Sequence, residues 1–122
     1  MIVGVGLDLV DVDRFRVALG RTPHLAERLF TAAERDIHGH GDAAHRLAAR
    51  FAAKEALLKA FGLGLGAVPF HDVVVESLPS GQPRLTLHGK AAALAAERGI
   101  ETVHLTLSHT ARTAGAVVVA VS

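Results

Sequence analysis

The chain has 122 residues, half of them apolar and a fifth charged, with a formal net charge of +1. That is globular composition of ordinary single-domain size, and a near-neutral charge does not predict a general polyanion binder such as a nucleic-acid protein. Cysteine is absent, which excludes disulfides and thiolate zinc sites, and no apolar run reaches the roughly 18 residues that span a bilayer.

Residues 1–9 alternate and are β-branched, which predicts a strand with no secretory leader before it. A cytoplasmic location is expected. Gly4, Gly6 and Asp8 share one face of that strand, because side chains alternate. Two glycines beside an acid leave room for a backbone or a ligand to approach. Asp8 lies where the strand ends, so it either caps the next turn or carries function. Asp11 is placed to cap a short helix with Val12, Phe15, Ala18 and Leu19 on its apolar side, ended by Gly20. Thr22-Pro23 predicts a second short helix, since proline suits the first helical position. Thr31 and Glu34 stand at capping-box spacing and predict a third. Residues 38–41 read as a loop, and Asp42 as the cap of a long central helix that Gly62 terminates.

Residues 50–60 of that helix are rich in Ala, Leu, Lys and Glu and contain no Pro or Gly. Ala44, Ala48, Phe51 and Leu58 mark one apolar face, and Glu55 falls in the gap of that series. A charged, unpaired carboxylate on such a seam costs on the order of several kcal/mol, so a protein cation, a metal ion or a substrate must offset it. Lys59, one turn later, is within reach for a helix salt bridge. Arg46, Arg50 and Lys54 recur every fourth residue and predict a basic edge, either a solvated face or a phosphate cradle.

Residues 62–66, Gly-Leu-Gly-Leu-Gly, form a flexible turn that matches neither a P-loop nor a dinucleotide fingerprint. Strands follow over 72–78 and 84–88, joined by the strong turn chemistry of residues 79–83. A helix over 91–98 is stopped by Gly99, and two further strands over 102–108 and 114–121 make a hairpin. The expected fold is α+β, one domain over residues 1–122, with a largely antiparallel sheet and helices packed on one side.

Asp8 and Glu55, from separate elements, supply an oxygen set suited to Mg²⁺, which takes only one or two protein carboxylates alongside substrate phosphates. His38, His40 and His45 cluster without a closed zinc motif. Ser108, His109 and Thr110 follow a strand and can all offer hydrogen bonds to one anion, but no Ser-His-Asp triad follows from spacing.

Together these segments resemble the holo-acyl-carrier-protein synthases, the small bacterial class of 4′-phosphopantetheinyl transferases. The resemblance rests on the 4–10 stretch with Arg14-Phe15, on Phe30-Thr31 with Glu34, and on the string from Leu47 through Glu55-Ala56 with Lys59-Ala60. It extends over Gly62, Gly64, Asp72, Gly81 with Pro83, and Leu105 to His109. It implies transfer of the phosphopantetheine arm of coenzyme A to a serine of an apo acyl carrier protein, with release of adenosine 3′,5′-bisphosphate, as in fatty acid biosynthesis. Asp8 and Glu55 inherit the metal, Mg²⁺ with Mn²⁺ as an alternative, and Lys59 inherits the pyrophosphate region. Arg50, Gly62, Gly64, Pro83, Ser108, His109 and Thr110 are similar to positions near coenzyme A. Arg14, Phe15 and Arg21 match the face that receives the acidic carrier. Homotrimers with shared sites are common in the family. The proton acceptor stays open between Glu55, a metal-bound water and the substrate itself. Val74 stands where relatives often carry an acid, and the chain ends without their terminal acidic residue. The competing readings are a non-catalytic coenzyme A or nucleotide-binding module and a purely structural oligomer.

Overall fold

The computed structural model describes residues 1–36 and 42–122; the loop expected at 38–41, with His38 and His40, lies outside them. The chain forms β1 (Ile2–Asp11), α1 (Val12–Arg21), α2 (Leu25–Leu29), α3 (Ala32–Arg35) and α4 (Ala43–Ala60). After a 3₁₀ turn at Phe70–Asp72 come β2 (Val73–Ser77), β3 (Pro83–Leu87), α5 (Gly89–Glu97), β4 (Thr102–His109) and β5 (Thr113–Val121). The strands make two antiparallel sheets: β1-β5-β4, with β5 central, and the hairpin β2-β3.

Alternation decides which face of the larger sheet meets the core. Val10, Ala114, Ala116, Val118 and Ala120 point inward and are buried, and α4 lies across them. Gly4 and Gly6 are what let α4 lie so close. A side-chain carbon on Gly6 would sit 1.8 Å from the carbonyl oxygen of Ala56, and one on Gly4 would sit 1.8 Å from that of Ala60. The space that the two glycines leave is therefore taken by helix backbone. The opposite face carries Val3, Val5, Leu7 and Leu9 at 47–67% exposure, next to Val117 and Val119 of β5.

The helix termini follow local chemistry. Asp11 Oδ1 accepts from Arg14 N at 2.9 Å, Asp42 Oδ1 accepts from Ala44 N at 2.9 Å, and Thr31 and Glu34 complete a reciprocal capping box. Gly62, at φ 70°, ends α4 in a Schellman turn, with Leu63 N donating to Leu58 O at 2.8 Å and Gly62 N to Lys59 O at 3.0 Å. Several boundaries differ from expectation by one or two residues, and two of the differences have a plain cause. Helix α1 runs through Gly20 to Arg21, and Thr22 closes it by donating its N–H to Ala18 O. With Thr22 spent as that C-cap, α2 starts at Leu25, after His24 takes a left-handed turn at φ 67°.

Candidate functional site

Beyond Gly6 the next position of β1 on the face toward α4 is Asp8, where a side chain replaces bare backbone contact. A cavity of about 560 Å³ opens there, lined by Asp8 and Glu55, by Arg14, Phe15 and Phe51, and by Leu25, Leu29 and Phe70. Asp8 and Glu55 are close enough for the charge of one to act on the other, Asp11 adds a third carboxylate, and the rest of the wall is mostly apolar. Asp8 does not cap the following helix, because Asp11 does so; its side chain faces the cavity and is 14% exposed.

Burial first, and the negative charge of Asp8 second, raise the pKa of Glu55 above the usual glutamate value; Lys59 opposes the shift. Lys59 reaches across to β1, donating to Leu7 O at 3.0 Å and Asp8 Oδ1 at 3.1 Å. The acid on the helix seam is thus compensated in part by a lysine that bridges the two elements. Among the described residues, no group of three or more His, Asp or Glu side chains forms a metal cage. The Asp8–Glu55 pair still fits Mg²⁺, whose remaining positions are filled by water and substrate oxygens.

The basic edge expected along α4 divides. Lys54 is fully buried. Its ammonium donates to Glu34 Oε1 at 2.7 Å, Leu29 O at 2.7 Å and Phe70 O at 3.0 Å. Glu34 Oε2 in turn accepts from Val75 N at 3.0 Å. Spacing missed this buried pair. The available signal was Leu47 seven residues before Lys54 and Leu57 three after it, which marks a second buried stripe on the helix. Arg50 is half-buried; its Nη1 donates to Arg46 O at 3.3 Å, while its buried Nε has no hydrogen-bond partner. Burial pulls its guanidinium below the ordinary arginine value, with Glu34 opposing and Arg46 adding to the shift.

The remaining candidates are dispersed. Phe15 is buried, packed against Phe30 and Phe51, and forms cavity wall rather than an exposed contact; Arg14 at the rim and Arg21 are exposed. Gly62 and Gly64 lie in the turn after α4, and Pro83 opens β3 in register with Ser77. Ser108 lies on the outer sheet face opposite Gly115, while His109 and Thr110 sit at the exposed β4–β5 hairpin. Arg14 and Phe15 line the Asp8–Glu55 cavity; Arg21, Gly62, Gly64, Pro83, Ser108, His109 and Thr110 do not line it in the same chain.

The model of the 4′-phosphopantetheinyl transferase superfamily matches residues 4–120. The chain belongs to that superfamily. A relative from Beutenbergia cavernae, named holo-[acyl-carrier-protein] synthase, is 51% identical over 120 residues, covering 98% of each chain. The crystal structure of holo-[acyl-carrier-protein] synthase from Neisseria meningitidis superposes with a TM-score of 0.87 at 36% identity, over the full length of both chains. The synthase from Bacillus anthracis, solved in complex with CoA (3′,5′-ADP), superposes with a TM-score of 0.80 at 34% identity, covering 98% of this chain and 96% of that one. The α+β architecture of this transferase superfamily is therefore the architecture of this chain.

Proposed function

We propose that this chain is a holo-acyl-carrier-protein synthase, and the observation that carries the reading is that Asp8 and Glu55 line one cavity while Lys59 reaches across to Asp8. The serine hydroxyl of an apo carrier attacks the β-phosphorus of coenzyme A, the phosphopantetheine arm moves to the serine, and adenosine 3′,5′-bisphosphate leaves. Asp8 and Glu55 would hold Mg²⁺, with Mn²⁺ as a substitute. When bound, the ion supplies charge neutralisation on the diphosphate oxygens and stabilises the leaving group. Lys59 lies where it can turn from Asp8 to the diphosphate and add positive charge as negative charge develops. The raised pKa of Glu55 belongs to the metal-free chain; a bound cation would draw it back toward the carboxylate that ligation needs.

Arg14 at the rim, with Arg21 nearby on α1, suits an acidic carrier, and Phe15, buried behind them, is assigned to the carrier-binding face by resemblance. Arg50, whose unpartnered Nε is buried, is assigned to coenzyme A by resemblance; the exposed His109 and the Thr110 hydroxyl favour an anion. That hydroxyl already accepts from Arg112 N and Thr113 N, so its own proton remains to be donated. Gly62, Gly64 and Pro83 are assigned to coenzyme A by resemblance alone.

The homotrimer is carried over by resemblance, and two observations support sites shared between subunits. The outer face of β1 and β5 is too apolar to be left in water. The chain's own 108–110 segment packs beside the N-terminal part of α4 near His45, about 15 Å along the helix from Glu55. A neighbour's hairpin can complete a site that one chain leaves open. A single domain and a cytoplasmic setting complete the reading.

Incubation with coenzyme A, Mg²⁺ and apo carrier tests it by chromatography of the nucleotide product. Adenosine 3′,5′-bisphosphate should appear in step with carrier consumption, and chelation with EDTA should stop it. Coenzyme A binding without nucleotide release would leave only a binding module.

A further inference from the structure

His45 belongs to no zinc cluster in the described structure; its ring turns toward the β4–β5 hairpin instead. Nε2 lies 2.9 Å from Ala111 O and 3.3 Å from Thr110 O. Nδ1 lies 3.5 Å from Asp42 Oδ2, and the ring packs edge-on against His109 at 5.9 Å and 69°. Asp42 is itself fixed, because it caps α4 through Ala44 N and also receives the guanidinium of Arg16. A chain of contacts therefore runs from α1 through Asp42 and His45 to the hairpin tip.

The hairpin is built to accept that contact. Thr110 N donates to Thr113 O at 2.8 Å, but the return bond from Thr113 N goes to the Thr110 hydroxyl at 3.1 Å. The hydroxyl does inside the turn what the Thr110 carbonyl would otherwise do, and the carbonyl faces His45.

We infer that His45 is a positioning residue for coenzyme A: from α4 it clamps the carbonyls of Thr110 and Ala111, fixing the His109 ring and the Thr110 hydroxyl toward the phosphate-bearing end of the nucleotide. This rests on the proposed transferase reading. The nucleotide end does not react, so contacts there are equal in the ground and transition states and set KM rather than kcat. Loss of the clamp leaves the hairpin tip to be ordered by the substrate, at a cost in affinity.

The test is steady-state transfer by wild type, His45→Phe and His45→Gln. The phenylalanine keeps a ring against His109 and removes the Nε2 donor; the glutamine returns an N–H. His45→Phe should raise the KM for coenzyme A about five- to tenfold, with kcat and the KM for the carrier within about twofold of wild type. His45→Gln should recover most of the loss. A general folding defect would lower the active fraction, and so kcat, at unchanged KM. A wild-type KM for coenzyme A in His45→Phe, or a loss confined to kcat, overturns the inference. Should His45→Phe not fold, nitrogen NMR of the wild-type ring decides. With the imidazole neutral, Nε2 should carry the proton; a bare Nε2 rules the clamp out. An inactive wild type would defeat the transferase reading, and the ring tautomer would then decide the clamp alone.

Discussion

Glu55 holds its proton to higher pH than an exposed glutamate, because burial and the Asp8 carboxylate both disfavour its charge. The unfolded chain gives up that proton first, in the ordinary glutamate range. Stability therefore falls as pH rises from that range through the raised folded value. Glu55→Gln removes this dependence. With metal chelated, the variant should melt above wild type near neutral pH and match it at about pH 3, where Glu55 is protonated in the folded and the unfolded chain. Equal melting at both pH values would contradict the burial seen here. The same substitution should cut transfer by several kcal/mol of transition-state stabilisation, about a thousandfold or more, since it removes one of two metal ligands. Asp8 and Glu55 were legible as a pair because strand alternation and a gap in a helix seam each exposed one of them. Lys54 was not. Its helix is buried on most sides, so an every-fourth-residue basic pattern did not distinguish a solvated edge from a buried stripe.

At the scale of elements, the close approach of α4 to β1 is the contact that brings Glu55 beside Asp8. Gly6→Ala would drive a methyl group into the Ala56 carbonyl. Overpacking typically costs about 1–3 kcal/mol, and here the obstacle is helix backbone, so urea denaturation should report the upper end or more, with transfer lost alongside. An alanine accepted without cost would show that the helix sits further from the sheet. The Glu34–Lys54 pair holds α2, α3, α4 and the middle of β2 together around the cavity. Lys54→Met alone should cost about 3–5 kcal/mol, because it leaves a buried carboxylate uncompensated. Glu34→Leu combined with Lys54→Met should recover much of that loss, and additive losses would mean the two charges act separately. The caps at Asp11, Thr31 and Asp42 and the glycine stop at Gly62 could be read locally because each is a single side-chain or backbone requirement. The start of α2 could not, because Thr22 serves the end of one helix rather than the beginning of the next.

At the scale of the whole molecule, strand order escaped local reading. Which strand is central, and that β2 and β3 form a separate hairpin, depend on long-range pairing that periodicity does not encode. The outer valines and leucines of β1 alternate with the inward glycines, yet their exposure becomes apparent only once α4 is seen to cover the opposite face alone. Val5, 58% exposed there, is the place to test assembly. Val5→Lys should convert a trimer to monomers in light scattering and abolish transfer while leaving the monomer's helix content intact; an unchanged mass with full activity would contradict subunit-shared sites. The most direct measurement is the intact mass of an apo acyl carrier protein after incubation with coenzyme A, Mg²⁺ and either wild type or Glu55→Gln. The expected result is one added phosphopantetheine per carrier with wild type and none with the variant. An unmodified carrier with wild type, or full modification by the variant, would contradict it.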